Sequence, residues 1–347
     1  MPPARKKRKF LLDKSKSTSP VAFQLATHAP DVNLKIFDDL ELHSHSTILQ
    51  KYSAFFRAFM DSPDKQVPLT GEWKYEWVSV VDDDGTWSLV DIRHVPNHNL
   101  LEGDKIVHQT AFKKFIGVFY QQPWKIAITE ELNLVVHMAD YYRAMPVISG
   151  AFSAALHRSK MFERKFRSTE KRDLLAFAMK LHNADLFRDC MIIISGDIGN
   201  SGKGKLAFFE PDLGNATLNS LAIKLRNQIV DKIIETNQLL FDARWSWLPP
   251  AEFEERRNDQ ATLLSQIDWS PCYYREMMVD RWLKKPGSAH NDIASVLDLL
   301  ENKITFNRGD YFNHNFRWEP DAFLSQHFLC ADVKDSDLPW DVSKADW

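Results

Sequence analysis

The sequence predicts an α+β protein, with an N-terminal domain in which a cluster of helices packs on a small sheet, followed by a mainly α-helical C-terminal region. Three observations carry this. Val32, Leu34 and Ile36 alternate with polar Asn33 and Lys35, the two-residue period of a half-buried strand. Aromatic residues downstream recur at three- and four-residue steps, the period of a helix. Beyond about residue 160 the patterned stretches are almost all helical. With 347 residues, 44% apolar and 12% aromatic, the chain is long enough for about two domains with a buried core. The domains read as a disordered basic tail over 1–20, an α+β domain over 21–160 and a helical domain over 161–347.

Taken in order, "DVNLKIF" at 31–37 is the first strand, Asp38 and Asp39 make a turn, and Leu40 and Leu42 alternate with Glu41 and His43 on a returning strand. From Ser44 the period changes. Ile48, Leu49, Tyr52, Phe55, Phe56 and Phe59 fall on one face of a single helix that Ser44 or Ser46 would cap. His43 and His45 therefore flank a strand-to-helix join, His43 on the polar side of the strand and His45 in the first helical turn.

"EWKYEWVSVVDDDGTWSLVDI" predicts a second hairpin around an Asp-Gly turn, its triple aspartate solvated. A helix follows over "TAFKKFIGVFY", with Phe112, Phe115, Ile116, Phe119 and Tyr120 as its apolar face and Pro123 closing it, and "WKIAI" after it reads as a short strand. Thr129 caps a helix with Glu130 and Glu131 in its first turn, running to Pro146, and "VISGAFSAALH" ends the first domain. In the helical region "EKRDLLAFAMKLHN", "LNSLAIKLRNQIVDKIIETNQLL" and "DIASVLDLLENKI" are amphipathic, and Leu218, Leu221, Leu225, Ile229 and Ile233 form one stripe. There is no internal repeat, which argues against a propeller or a zinc-finger array.

Net charge is −3, too small for a general attraction to nucleic acid or acidic membrane. It is unevenly placed. Seven cations against Asp13 alone give residues 1–19 a charge of +6 and leave −9 on the remainder. The run Arg5, Lys6, Lys7, Arg8 and Lys9 is a candidate nuclear import signal or a sequence-blind nucleic-acid arm. It lacks the apolar segment of a secretory leader, and no eighteen-residue apolar run occurs in the chain. Cys190, Cys272 and Cys330 offer no disulfide or metal spacing, which fits the nucleus or cytoplasm.

The order "DVNLKIFDDLELHSHSTILQKYSAFF", a β-rich middle, "AFKKFIGVFY" and "LVVHMADYYRAMPV" resembles a BTB/POZ domain of the divergent fungal type over about residues 25–160. The opening pattern falls on Asp31, Val32, His45, Leu49, Ser53 and Phe56, and the later one on Phe112, Phe119, Tyr120, Ala139 and Asp140. Ser46 departs from the family's basic residue after the helix-start histidine, Gln121 and Gln122 from its Thr-Gly, and the middle hairpin is longer. The helical region is similar to the extension that often follows fungal BTB domains. The resemblance implies a non-enzymatic protein-interaction module that forms a homodimer or recruits a partner. It also implies a possible role as substrate adaptor of a cullin-RING ubiquitin ligase, the cullin meeting the Phe112–Tyr120 helix and the strand after it. A third expectation is a transcription- or chromatin-associated regulator whose basic tail meets nucleic acid weakly.

No catalytic set, cofactor motif or metal site emerges. A metal on His43 and His45 would need further ligands from Asp38, Asp39 or Glu41, and the packing reading is preferred. "MIIISGDIGNSGKGK" has the look of a phosphate loop after a strand, but Asp197 stands where the first glycine belongs and Gly204 where a hydroxyl belongs. "NAT" at Asn215 and "RGD" at Arg308 are read as chance matches, and Cys272 and His290 lack the spacing of a nucleophile and base.

Overall fold

The computed structural model describes residues 20–26, 28–60, 73–92, 101–159, 170–198, 211–245, 271, 274, 290–306 and 327–343. The cluster Arg5–Lys9, the glycine-rich stretch 199–205, Cys272 and Arg308 lie outside the described residues. The chain is mixed α/β, with a small N-terminal sheet and a mostly helical remainder. It divides into two compact units, Met1–Ala151 and Phe152–Trp347, where the sequence pattern places the line at 160. The division falls inside α5 (Met145–His157).

The first unit is built on a five-stranded sheet of order β1-β3-β2-β4-β5. The predicted first hairpin is β2 (Val32–Ile36) and β3 (Leu40–Ser44), antiparallel from Val32↔Ser44 to Ile36↔Leu40. Its turn carries Phe37 (φ 51°) and Asp38 (φ 67°) in the left-handed region, and the Phe37 N–H donates to Ser79 Oγ at 2.7 Å. β1 (Val21–Ala22) adds in parallel to β3, and β4 (Tyr75–Val81) in parallel to β2. β4 turns through Gly85 (φ 83°) into β5 (Trp87–Asp91), the predicted second hairpin, with Asp82, Asp83 and Asp84 exposed in the turn.

The helices depart from the sequence pattern in instructive places. The expected single aromatic helix is two, α1 (Ser46–Tyr52) and α2 (Ala54–Met60), separated by Ser53 in an extended conformation (φ −133°, ψ 118°). Neither Ser44 nor Ser46 caps α1. His45 is the N-cap residue without a side-chain cap, and Asp31 satisfies the first turn from across the hairpin. α3 (Lys105–Phe119) begins a turn and a half before Thr110, because Asp104 accepts the Ile106 and Val107 N–H groups. α4 (Thr129–Tyr141) has Ile128, not Thr129, at its N-cap, and it ends before Arg143 (φ 50°) instead of running to Pro146. Pro146 stands in the first turn of α5, where its missing N–H costs little.

Trp124–Ile128 is not a strand. Trp124 and Ile126 point inward and their neighbours outward, as on a strand, but the described sheet gives this segment no ladder partner. Side chains from the inner sheet face and from α1 to α5, Leu34, Ile36, Leu42, Leu49, Phe56, Phe115 and Val135 among them, form the core.

The second unit holds α6 (Glu170–Lys180), α7 (Ala184–Ser195), α8 (Ala216–Trp245) and α9 (His290–Leu299). Asn183 caps α7, its Oδ1 accepting the Leu186 N–H at 2.9 Å. The predicted stripe Leu218, Leu221, Leu225, Ile229 and Ile233 is buried along α8. Met191 to Ser195 are the last turns of α7, so no strand precedes Gly196. A final segment, His327 to Val333, lies buried apart from Asp332, and a 3-10 turn at Asp335–Asp337 follows it.

Candidate interaction surface

Most residues of the sequence motif meet around the join of sheet and helices. Asp31 Oδ1 accepts the Ser46 N–H at 2.7 Å, and Oδ2 accepts the Ser46 hydroxyl at 2.6 Å. The His45 main-chain N–H donates to the Tyr120 hydroxyl at 2.8 Å, while its ring Nδ1 lies 3.0 Å from the same oxygen and Nε2 3.0 Å from the His28 carbonyl. A carbonyl can only accept, so a neutral His45 carries its proton on Nε2, and Nδ1 accepts from Tyr120. The Tyr120 hydroxyl thus takes one hydrogen bond and gives another to the same residue. Burial pushes its pKa up to about 12, against the His45 N–H bond.

Ser53, at the break between α1 and α2, donates its hydroxyl to the Tyr142 carbonyl at 2.5 Å and accepts the Phe56 N–H at 3.2 Å. Phe56 stacks on Tyr142 at 5.4 Å with rings 9° from parallel. Tyr142 in turn takes the Leu89 N–H on its hydroxyl, and burial raises its pKa strongly. Val32, Leu49, Phe112 and Ala139 are buried outright. Asp140 alone among the motif residues is exposed. His43 is half-buried, its ring 4.4 Å from that of Trp73 and turned away from the contacts of His45. Among the described residues no three His, Cys, Asp or Glu side chains gather as metal ligands would.

What remains outside this network is a surface. Phe59 is 45% exposed and Tyr141 52%, both packed against half-buried Phe55 at 4.6 and 5.5 Å between ring centroids. Exposed Ala54 and Ala58 lie on the same helix, and exposed Arg57 donates to the Gln50 and Lys51 carbonyls. An aromatic patch with small neighbours suits contact with another protein, since rigid rings cover area with little loss of side-chain freedom. The sequence pattern places Tyr52, Phe55, Phe56 and Phe59, beside small Ala54 and Ala58, on one helix face that serves a core and leaves an edge for a partner, and it misses Tyr141 altogether. The signal was the adjacent pair Tyr141-Tyr142, only one of which can face the core at the end of a helix.

A second outward row lies on α3, where Ile106 is 70% exposed and Thr110 and Lys113 follow it. Phe112 and Tyr120 are structural. No family model matches the chain, and neither a curated protein nor a solved structure is significantly similar to it.

Proposed function

We propose that the chain is a non-enzymatic interaction module of the BTB/POZ type, which self-associates or recruits a protein partner through the surface at Phe59 and Tyr141. The observation that carries this reading is the exposed aromatic pair at the end of α2 and α4. The assignment to the BTB/POZ type is supported by the order hairpin, two short helices, β-rich middle and three helices, and by the way Asp31, His45, Ser53, Phe56 and Tyr120 interlock. Sedimentation of the full chain at tens of micromolar tests it. A dimer that dissociates on Phe59→Glu and Tyr141→Glu is expected. A wild-type monomer removes self-association and leaves partner recruitment.

The exposed row on α3 favours a cullin adaptor as the second reading. Because Phe112 is buried and Tyr120 is hydrogen-bonded to His45, substitutions there would damage the fold, so Ile106→Asp with Lys113→Glu is the appropriate variant. Cullin capture by the wild type and its loss in this variant are expected, and no capture by the wild type disposes of the reading. The run Arg5–Lys9 supports a nuclear location for the module, with nucleic-acid binding weak and steeply salt-dependent. A fluorescent fusion that stays nuclear after alanine replaces Lys6, Lys7, Arg8 and Lys9 would remove that support.

A further inference from the structure

We propose that the face of α7 and α8 bearing Phe187, Arg188 and Lys224 is a docking site for a short acidic peptide with an aromatic anchor, and that the chain's own segment Lys334–Trp340 occupies it in cis. The proposal does not rest on the aromatic surface of the first unit. The segment before it is built into the second unit. Lys171 Nζ lies 3.4 Å from His327 Nε2, the Phe328 N–H donates to the Gly196 carbonyl at 2.9 Å, and the Leu329 carbonyl accepts the Lys303 N–H at 3.0 Å. Phe328, Leu329, Cys330, Ala331 and Val333 are buried. From Lys334 onward the attachment changes. The described main-chain hydrogen bonds of 334–340 stay inside the segment, with the Asp337 and Leu338 N–H groups donating to the Lys334 and Asp335 carbonyls and the Lys334 N–H to Asp337 Oδ2.

Side chains therefore hold this segment to the helices. The approach runs antiparallel to α8 along one row of that helix, since Lys232 Nζ reaches the Cys330 carbonyl at 3.5 Å, Gln228 Oε1 accepts the Asp332 N–H at 3.3 Å and Lys224 Nζ meets Asp337 Oδ1 at 2.7 Å. Lys224, Gln228 and Lys232 are four residues apart and share a face. From α7, Arg188 pairs with Asp335 as well as with its own neighbour Asp185. Leu338 is buried. The half-buried Trp340 ring lies flat on His182, 5.2 Å away and 4° from parallel, and meets Phe187 edge-on at 5.5 Å.

The site thus offers one cation from each helix to two acids spaced two positions apart, and an aromatic seat beyond them. Burial alone would raise the Asp337 pKa, but Lys224 and the Lys334 N–H outweigh it and lower it, so the site favours an ionised acid. Pro339 favours the extended backbone of Leu338 (φ −70°, ψ 137°), which aims Trp340 before any contact forms and reduces the freedom lost on docking. Ion pairs of this exposed kind are individually weak. A segment kept by several weak anchors around one aromatic side chain can be replaced by a peptide of the same pattern.

Fluorescence anisotropy of a labelled peptide of residues 334–343 with the full chain tests the site. Asp335→Ala, Asp337→Ala and Trp340→Ala together vacate it. This variant should bind the peptide, and the wild type should bind it at least about tenfold more weakly, because a segment joined to its own site competes at an effective concentration of order mM. A peptide with both aspartates replaced by asparagine should bind the vacated chain about tenfold more weakly. Adding Arg188→Glu and Lys224→Glu to the vacated chain should abolish binding. Asp335→Asn with Asp337→Asn is the milder variant that decides the matter if the triple one does not fold. No binding to a folded vacated chain at about 1 mM peptide, equal binding to wild type and variant, or undiminished binding of the asparagine peptide overturns the proposal. So does failure of both variants to fold, which would make the segment a structural part of the unit.

Discussion

The two units bury polar side chains of different kinds. In the first, the described buried polar groups are Asn33, Ser44, His45, Ser46, Ser53, His108 and Glu131, and the one carboxylate among them is paired with Lys114 at 2.7 Å. In the second they include Lys171, Asp189, Arg226 and His327. Groups locked donor to acceptor, as His45 and Tyr120 are, fix how a chain is threaded. The two described buried carboxylates differ in how they are met, Glu131 of the first unit by the Lys114 ammonium and Asp189 of the second by main-chain N–H groups. The contrast teaches that a buried carboxylate beside a cation adds little dependence on the medium, while one held by main-chain donors ties its unit to the proton concentration.

The largest effect expected is that of Phe112→Ala, which empties a fully buried aromatic site and should cost about 3–5 kcal/mol. Denaturation with hydrogen exchange should place the loss in the first unit. Equal loss of protection in α7 and α8 would break the comparison by making the two units one cooperative body. Gly196→Ala should cost about 1–3 kcal/mol in the second unit, because an added Cβ would sit 1.9 Å from the Phe328 carbonyl oxygen. A variant with an unchanged thermal midpoint would show that the buried segment yields more easily than the packing implies.

Asp189 sharpens the contrast in pH. It accepts the Thr305 and Phe306 N–H groups at 2.8 and 2.9 Å, yet burial outweighs these bonds and raises its pKa from 3.8 to about 7. Between those values the folded protein keeps a proton that the unfolded chain has lost, so stability falls as pH rises, by at most about 1.4 kcal/mol per unit. Urea titrations of the wild type and Asp189→Asn from pH 4 to 7 should differ in slope by that sign. Asp31→Ala is the smallest effect, about 1 kcal/mol for loss of the α1 cap, and it should be seen in the first unit alone.

Four of the five strands were legible because strand alternation is local, and β1, two residues long, is too short to show any period. Val32, Leu34 and Ile36 announce β2, and an Asp-Gly turn announces β4 and β5. The break at Ser53 was hidden, since Tyr52, Phe55, Phe56 and Phe59 keep a helical spacing straight across it, and it is explained by long-range bonds, from the Ser53 hydroxyl to the Tyr142 carbonyl and from the Ala54 N–H to the Arg143 carbonyl, with the Ser53 hydroxyl also accepting the Phe56 N–H. The cap of α1 was hidden for a similar reason. Asp31 stands fifteen positions before Ser46, while sequence patterns look for a cap next to the helix. "WKIAI" has the alternation of a strand, and alternation does not say whether a neighbour is there to pair with it. Several motif residues, Asp31, His45, Ser53, Phe56 and Tyr120, lie in hydrogen-bond and ring contacts within the first unit, so the exposed surface is carried by Phe59 and Tyr141. The Lys171–His327 pair lay beyond any pattern, its members 156 residues apart.

That separation bears on how the chain is made. On a ribosome adding roughly 5–20 residues per second, about eight to thirty seconds pass between Lys171 and His327. α6 and α7 are synthesised early in that interval, while Phe328, Leu329 and Cys330, buried in the finished unit, come only at its end. The first unit is spared such a wait, because His45 and Tyr120 are only 75 residues apart. The nascent second unit therefore leaves apolar surface uncovered for longer than the first does.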